Sequence, residues 1–443
     1  IGPFPAMAYL RLGIPDMALG RFQDFLWGLV SPLRRRGGDR LQLDEALHTL
    51  MGSRGEVSTA VAAREVLDSY KDAPEEDKLA FFRNLEQNFN AEFEIVRAAW
   101  RAYEHEPSSE NLSRLSRQAE PRRLALLRRL HQTPNSTHDL VAMRADLLRL
   151  IKRHRELEAL DQDFEQVLSS WFSRDFLMLQ EIDWSTSAAI LERIIRYEAV
   201  HEIRDWEDLR SRIEPENRCC YAFFHPSLTD EPLIFVEVAL TDKVPGGIGE
   251  ILDSDAAATP VNGDFTTAVF YSISNCQPGL KRISFGNFLI KQVVQELQAA
   301  HPSIETFVTL SPVPGLGKWL ERDEDEPDEA LAELKNEFRE KISDRASAAE
   351  QEELLRKLAF NFLLRKRRGN FPADSVARFH LGNGASLYRV NAGADRSDKG
   401  WRQSRGVMVN YLYDQKRIEA NHEQYSNDGR VLFHDRLKPL QIR

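Results

Sequence analysis

The sequence predicts an α+β protein, with an all-helical bundle in its first part and a mixed α/β domain in its second. Between Gly55 and Gly246 there is no glycine, a residue that helices avoid but that strand-and-turn architecture uses often. After residue 185, short apolar runs separated by turn residues alternate with helical patterns. The 443-residue chain is long enough for two or three domains at roughly 100–200 residues each. We place the domains at 1–185 and 186–443.

Apolar residues at spacings of three and four predict the helices of the first domain. One long helix is predicted from Leu85, Phe89, Phe93, Val96, Trp100 and Tyr103. A second, beginning after the polar capping cluster at 135–137, is predicted from Met143, Leu147, Leu150 and Leu157. Titratable residues form no cluster in this bundle, so it favours a role in assembly over one in catalysis.

The second domain opens with a helix over 187–200 and continues as short strands and helices. "RCCYAFF" and "LIFVEVALT" predict a β-hairpin, and strands are predicted at 266–274 and 304–310. Between these strands, 285–298 predicts an amphipathic helix whose inward residues are Phe288, Val293, Val294 and Leu297. The acidic start of the charged helical segment 323–364 is interpreted as a solvated surface.

Ser311 stands between the apolar run "FVTL" and Pro312, and two interpretations fit it. A serine before a proline commonly caps the start of a helix. Alternatively, a strand ends here and the turn holds the hydroxyl at a site.

Charge and cysteine usage limit the class of protein. Lys and Arg number 59 against 69 Asp and Glu, a net charge of −10, which argues against a general nucleic-acid binder. No apolar stretch approaches the ~20 residues that span a membrane, so no membrane partner is expected. The start of the chain has no signal-peptide pattern, and three cysteines provide no disulfide framework, which predicts a reducing, cytoplasmic location.

A strand–loop–helix block, "VFYSIS-NCQPGLKRISFG-NFLIKQVV", is a candidate anion site. The loop delivers backbone N–H groups to a helix N-terminus, and Lys281 and Arg282 add positive charge there. No glycine-rich run ends in Gly-Lys-Ser/Thr, which excludes a P-loop. The alternative is an ordinary surface loop with two solvated basic residues.

Several strings, in this order and spacing, resemble the malonyl-CoA decarboxylase family. They are "YEAVH", "RCCYAFFHP", "EPLIFVEVALT", "FYSIS", "FGNFLIKQVVQELQ", "LSPVPG", "KWL", "FHLGNGASLYRVN" and "GVMVNYLY", and they cover roughly 185–415. The resemblance implies a helical domain followed by an acetyltransferase-like (GNAT) catalytic domain. It also implies conversion of malonyl-CoA to acetyl-CoA and CO2 with neither a metal nor an organic cofactor.

The resemblance also implies the site residues. Ser311 matches the family's catalytic serine, His380 its partner, Tyr413 a tyrosine of the same site, and Ser272 a serine near the substrate. The CoA pyrophosphate loop matches Lys281, Arg282, Ile283, Ser284, Phe285, Gly286 and Asn287. Ser284 departs from the family pattern, because some relatives carry a glutamate there and a serine cannot supply that charge.

The implied reaction requires a stabilised enolate and a proton delivered to carbon. His380 is expected to protonate the carbanion or relay a proton, Ser311 to hold the malonyl group, and Tyr413 to orient His380 or add a donor. "ARFHL" and Asn383-Gly384 predict a strand and hairpin turn in which His380 points away from Phe379 and Leu381. Without the resemblance, this histidine and Tyr413 would fit structural roles.

Two other functions stay open at this point. An acyl-CoA N-acyltransferase on the same fold would need an acceptor pocket and a base, whereas a non-catalytic CoA-binding protein would not need Ser311 and His380. Arg389 fits a CoA phosphate or, as favoured here, a structural contact. The family assembles through its helical domain, so a homo-oligomer, a tetramer, is expected.

Overall fold

The computed structural model describes residues 40–172, 176–253, 265–283, 289–322, 326–343 and 348–442. Within these ranges, the first part of the chain is helical, as predicted. Its helices are α1 (Arg40–Gly52), α2 (Glu56–Asp72), α3 (Glu75–Asn88), α4 (Phe93–His105), α5 (Ser109–Ala119), α6 (Arg122–Leu130), α7 (Ser136–Leu150) and α8 (Glu158–Trp171). None of the described helices is both long enough and apolar enough to span a membrane.

The long helix predicted from Leu85 to Tyr103 is wrong, because the chain breaks into α3 and α4 at Phe89. Leu85 and Phe89 are buried in the bundle, but Ala99 is the buried residue of α4. Phe93 and Trp100 are 72% and 51% exposed. The apolar periodicity of α4 therefore belongs to an open surface and not to this core.

The second predicted helix is confirmed as α7, which ends at Leu150, so Leu157 lies beyond it in a separate 3-10 turn. The polar cluster at 135–137 does not cap the start of α7 as expected. Asn135 makes no side-chain cap, and the Ser136 hydroxyl donates to the carbonyl of His131 at 3.1 Å.

The second part is a mixed domain built on an eight-stranded sheet. Its strands are β1 (Met178–Glu181), β2 (Arg218–Phe224), β3 (Ile234–Thr241), β4 (Thr267–Asn275), β5 (Thr306–Thr309), β6 (Ser311–Pro312), β9 (Ser386–Asn391) and β10 (Met408–Leu412). A separate small hairpin pairs β7 (Arg367–Arg368) with β8 (Phe371–Pro372).

The helices of the second part lie between these strands. They are α9 (Ala188–Tyr197), α10 (Trp206–Ile213), α11 (Gly249–Leu252), α12 (Leu289–Ala300), α13 (Leu316–Glu321), α14 (Glu329–Ser343), α15 (Ala348–Arg365), α16 (Ser375–Gly382), α17 (Asp398–Ser404) and α18 (Ile418–Asp428).

Strand directions confirm the predicted α+β class, with a mixed sheet in the second domain. The strand order is β1-β2-β3-β4-β5-β10-β6, with β9 on β10. All neighbours are antiparallel except β4 and β5, which are parallel and are joined through α12. The predicted inward residues Val293, Val294 and Leu297 of α12 are buried, and Phe288 lies outside the described residues. Strand β1 already belongs to the sheet, before the boundary predicted at 185/186.

The helical bundle and the sheet domain share one continuous hydrophobic core. Gly279, in the 3-10 turn after β4, shows how close they approach, because a Cβ there would overlap the carbonyl oxygen of Val141 on α7. The Arg144 side chain of α7 is fully buried in this contact and donates to the carbonyls of Gly279 and Lys281 at 2.7 and 2.9 Å.

Candidate active site

Ser311 lies in the short strand β6, opposite Val409 of β10. The helix that follows, α13, begins at Leu316 with Gly315 at its cap, so Ser311 caps no helix. The capping interpretation is therefore wrong, and the end of a strand just before Ser311 is confirmed. The chain leaves β5 at Thr309, and both β5 and β6 pair with β10, so the Ser311 side chain is held on a rigid strand.

His380 lies on the last turn of α16, not on a strand, so the predicted hairpin at Asn383-Gly384 is wrong. Asn383 caps α16, and Gly384 follows in a left-handed conformation at φ +83°, which ends the helix. The Asp374 carboxylate anchors the start of α16, accepting from the amide of Ala377 at 2.8 Å. Its other oxygen accepts from the amide of Gly315 at 3.2 Å, which fixes the helix against the chain segment after Ser311.

Ser311, His380 and Tyr413 form one hydrogen-bonded line. The Ser311 Oγ lies 3.0 Å from His380 Nε2, and the Tyr413 hydroxyl lies 2.9 Å from His380 Nδ1. All three are buried, with exposures of 7%, 2% and 2%. Tyr413 directly follows β10, and the Tyr411 ring stacks on the imidazole with centroids 4.6 Å apart. The structure thus brings together the three residues that the resemblance assigns to catalysis.

Burial sets the protonation of this line. Loss of solvent lowers the pKa of His380 to about 3, so the imidazole is neutral at physiological pH. Burial also raises the pKa of Tyr413 well above its usual value, which keeps the phenol protonated. The site therefore contains a neutral imidazole between two hydroxyl groups.

Ser272, on β4, makes its hydrogen bonds in a different cluster. Its hydroxyl lies 2.8 and 2.7 Å from the two oxygens of Glu198, which also accepts from Ser274 at 3.1 Å. The amides of Val200 and His201 donate to the same carboxylate. Glu198 belongs to the string "YEAVH", but its role was missed because its partners Ser272 and Ser274 are distant in the chain.

The described part of the predicted CoA loop faces the helical bundle. Arg282 forms an ion pair with Asp161 of α8 and lies 3.6 Å from Glu165. Ile283 is buried in the core, whereas Lys281 is exposed. Ser284, Phe285, Gly286 and Asn287 lie outside the described residues.

Arg389 takes the structural role favoured from the sequence. Its guanidinium donates to the side-chain oxygen of Asn410 at 3.2 Å and to the carbonyls of Val244 and Pro245. In the ranges that the structure describes, no His, Cys, Asp and Glu side chains form a group that could hold a metal ion.

Taken together, the mixed sheet with its parallel β4–β5 pair and the buried serine–histidine–tyrosine line define an α+β protein with a candidate catalytic centre. Models of two protein domains match the chain: the malonyl-CoA decarboxylase C-terminal domain over residues 175–441 and the N-terminal domain over residues 89–172. The chain belongs to the malonyl-CoA decarboxylase family, which are carboxy-lyases.

Similar proteins agree with this assignment. The mitochondrial malonyl-CoA decarboxylase of Anser anser anser is 35% identical over 336 residues, 69% of this chain and 66% of that protein. The Mus musculus protein of the same name is 34% identical over 351 residues, 72% and 71% of the two chains. This chain thus spans about two thirds of the length of these curated relatives.

Solved structures of malonyl-CoA decarboxylases resemble this chain over nearly all of their length. The Rhodopseudomonas palustris protein is 47% identical, with a TM-score of 0.85, and the match covers 90% of this chain and 99% of that one. The Agrobacterium vitis protein is 46% identical, with a TM-score of 0.79, over 90% and 100%.

Proposed function

We propose that this chain performs the reaction of its family, the decarboxylation of malonyl-CoA to acetyl-CoA and CO2, at Ser311, His380 and Tyr413. The observation that carries the proposal is the continuous hydrogen-bonded line through these buried side chains. The three side chains belong to separate elements: Ser311 to β6, His380 to α16 and Tyr413 to the end of β10. Backbone pairing or a helix cap fixes each element.

The chemistry requires donors where charge develops. Loss of CO2 leaves an enolate, whose negative charge collects on the thioester oxygen. A preorganised donor at such an oxyanion contributes about 2.7–4 kcal/mol. We assign Ser311 to hold the malonyl group by its hydroxyl, and we assign Tyr413 to orient His380 and donate to it.

His380 acts as a relay in this proposal rather than as a stored acid. An imidazole with a pKa of about 3 carries no extra proton near pH 7. It therefore releases a proton from one nitrogen while it takes one up at the other. The thioester enolate is a strong carbon base, so it can draw a proton through a neutral ring.

The CoA moiety is proposed to bind along residues 281–287, with Ser272 near the acyl end. The N-terminus of α12 follows this stretch, where backbone amides favour an anion. Lys281 and Arg282 are both exposed, but Arg282 is already paired with Asp161 of the bundle, so Lys281 is the cation proposed to meet phosphate. Glu198 would orient Ser272, since the carboxylate accepts its hydroxyl proton.

The helical part of the chain, predicted as 1–185, is proposed to assemble the protein into a homotetramer. Four apolar side chains on α4 and α5 support this role, because each is 42% or more exposed: Phe93, Ile95, Trp100 and Leu112. Apolar patches of this kind commonly mark contacts between chains.

A cytoplasmic location is proposed from the cysteines. Cys219, Cys220 and Cys276 are all free and buried, which suits a reducing compartment. Fractionation of cells that produce the full-length protein tests it, and recovery in an organelle or a secreted fraction would overturn it.

The reaction is tested with purified protein, malonyl-CoA, a chelator, and no acyl acceptor. Release of acetyl-CoA and CO2 in equal amounts is expected. Transfer of the acyl group that occurs only when an amine is added would indicate an N-acyltransferase instead. Tight binding without turnover in either assay would indicate a CoA-binding protein.

A further inference from the structure

We propose that Thr309 fixes the proton positions of the active site by accepting the hydroxyl proton of Ser311, so that His380 carries its proton on Nε2. This inference rests on the proposed function for its catalytic meaning, but the proton positions follow from the structure itself. Thr309 would be a positioning residue, acting on substrate only through Ser311 and His380.

Thr309 is held so that its hydroxyl cannot turn away. The residue is fully buried at the end of β5. Its Oγ1 accepts from the backbone amide of Tyr411 at 3.2 Å, where the pairing of β9 with β10 shifts register. Its carbonyl accepts from the side-chain amide of Asn410 at 2.9 Å. Two strands therefore fix the acceptor that faces Ser311.

A serine hydroxyl has one proton to donate. The Ser311 Oγ donates to Thr309 Oγ1 at 3.0 Å, and the same oxygen lies 3.0 Å from His380 Nε2. If Nε2 carried no proton, two lone pairs would face each other at that distance. The Nε2 nitrogen must therefore be the donor and Ser311 the acceptor.

The other ring nitrogen follows from charge. Burial keeps His380 neutral, so a proton on Nε2 leaves Nδ1 as an acceptor. Tyr413, whose phenol stays protonated, then donates to Nδ1 across 2.9 Å. The described hydrogen bonds thus run in one direction, from Tyr413 through His380 and Ser311 to Thr309.

This direction decides which chemistry the site favours. A histidine that accepts from a serine activates it as a nucleophile for acyl transfer. Here His380 donates to Ser311, so the site does not prepare an acyl-serine. When substrate binds, the Ser311 O–H turns from Thr309 to the substrate and becomes a donor to it. During turnover, Ser311 O–H breaks as the substrate C–H forms. His380 Nε2–H then restores the serine, Tyr413 O–H restores the ring at Nδ1, and one proton taken up from solvent restores the phenol.

Solid-state ¹⁵N NMR of the full chain labelled at histidine tests the tautomer directly. The resonances of His380 are assigned by their loss in His380→Gln. Wild type is expected to show a protonated Nε2 and an unprotonated Nδ1. A protonated Nδ1 in the wild type would overturn the proposal.

Two variants at one position then test the role of Thr309. Thr309→Val removes the acceptor at nearly equal volume, and it should shift His380 toward the Nδ1-protonated form and lower kcat about 100-fold at similar KM. Thr309→Ser restores the hydroxyl and should recover both the wild-type tautomer and most of kcat. Equal losses in the two variants, or an unchanged tautomer in Thr309→Val, would contradict the proposal.

The NMR spectrum and the turnover assay test the two proposals independently. A wild-type chain that shows the Nε2 tautomer but does not release CO2 from malonyl-CoA refutes the proposed function alone. A chain that decarboxylates malonyl-CoA with Nδ1 protonated refutes only the role of Thr309.

Discussion

The two ring nitrogens of His380 are hydrogen-bonded to the hydroxyl groups of Ser311 and Tyr413, and the Tyr411 ring stacks on its face. This surrounding buries the imidazole, and the burial that lowers its pKa keeps it neutral near pH 7. A neutral, oriented imidazole passes protons efficiently but stores none. At the residue scale, this one side chain therefore affects both the proposed reaction and the stability of the fold in acid.

Replacing His380 should remove the proposed proton relay while leaving the proposed CoA-binding stretch unchanged. We expect His380→Gln to lower kcat roughly 10²–10⁴-fold with a much smaller change in KM, measured by acetyl-CoA release. His105→Gln, on the exposed end of α4, is the matched control and should behave as wild type. A kcat for His380→Gln within threefold of wild type would rule out the relay.

Protonation of His380 should weaken the fold in mild acid. In the unfolded chain its pKa is near 6.5, but in the folded chain it is about 3, so below pH 6.5 the unfolded state binds the extra proton. The unfolding free energy should therefore fall by about 1 kcal/mol per pH unit as pH drops from 6.5. Above pH 6.5 this residue adds no pH dependence.

Urea unfolding at pH 7 and pH 5 measures this effect. Wild type should lose about 1–2 kcal/mol more than His380→Gln over that interval, because glutamine does not titrate. Equal losses in the two proteins would show that His380 is not buried as a neutral group.

Between elements, Arg144 of α7 joins the helical bundle to the turn after β4. It is fully buried, donates to Asp161 at 2.9 Å, and holds the carbonyls of Gly279 and Lys281. Because Lys281 begins the proposed CoA-binding stretch, the bundle supports the position of that stretch. This contact adds support of the proposed CoA-binding stretch to the assembly role proposed for the helical part.

Removing this guanidinium should destabilise the protein strongly. Arg144→Met leaves the buried Asp161 with its Arg282 pair only, and loss of one partner of a buried ion pair costs about 3–5 kcal/mol. Arg149→Met, one to two turns along α7 and exposed, should cost less than about 1 kcal/mol. Urea unfolding compares the two, and similar values would contradict the role assigned to Arg144.

At the scale of the whole molecule, the α4–α5 pair carries apolar side chains that the described part of the chain does not cover. Phe93, Trp100 and Leu112 of this pair face outward, whereas the other helices of the bundle bury most of their apolar residues. An apolar surface of this kind is stable in water when a second chain covers it. The protein is therefore expected to associate through this pair.

A charge on that surface should prevent association. Trp100→Glu is expected to reduce the mass measured by light scattering at micromolar concentration, while melting temperature changes little. Trp401→Glu, equally exposed but on α17 of the other domain, is the control and should keep the wild-type mass. A wild-type protein with the mass of one chain would overturn the proposed tetramer.

The sequence by itself was enough to predict those helices and strands that a pattern of neighbouring residues defines. Periodicity and the glycine-free stretch predicted the helical part, the β2–β3 hairpin and the buried face of α12, because spacing along the chain defines the buried face of an element. The family strings predicted Ser311, His380 and Tyr413. Thr309 was missed, although its position two residues before Ser311 on an extended chain places it on the same side.

Tertiary structure decided what depends on contacts between distant residues. "ARFHL" fits a strand by alternation, but the Asp374 cap and Gly384 make it a helix, so local pattern misplaced His380. The open face of α4 has the periodicity of a core, because spacing reports an apolar stripe and not what covers it. Proton positions at Ser311 and His380 depend on partners from β5, β6, α16 and β10. Only the folded chain brings those four segments together, and burial there, not residue type, makes the histidine neutral.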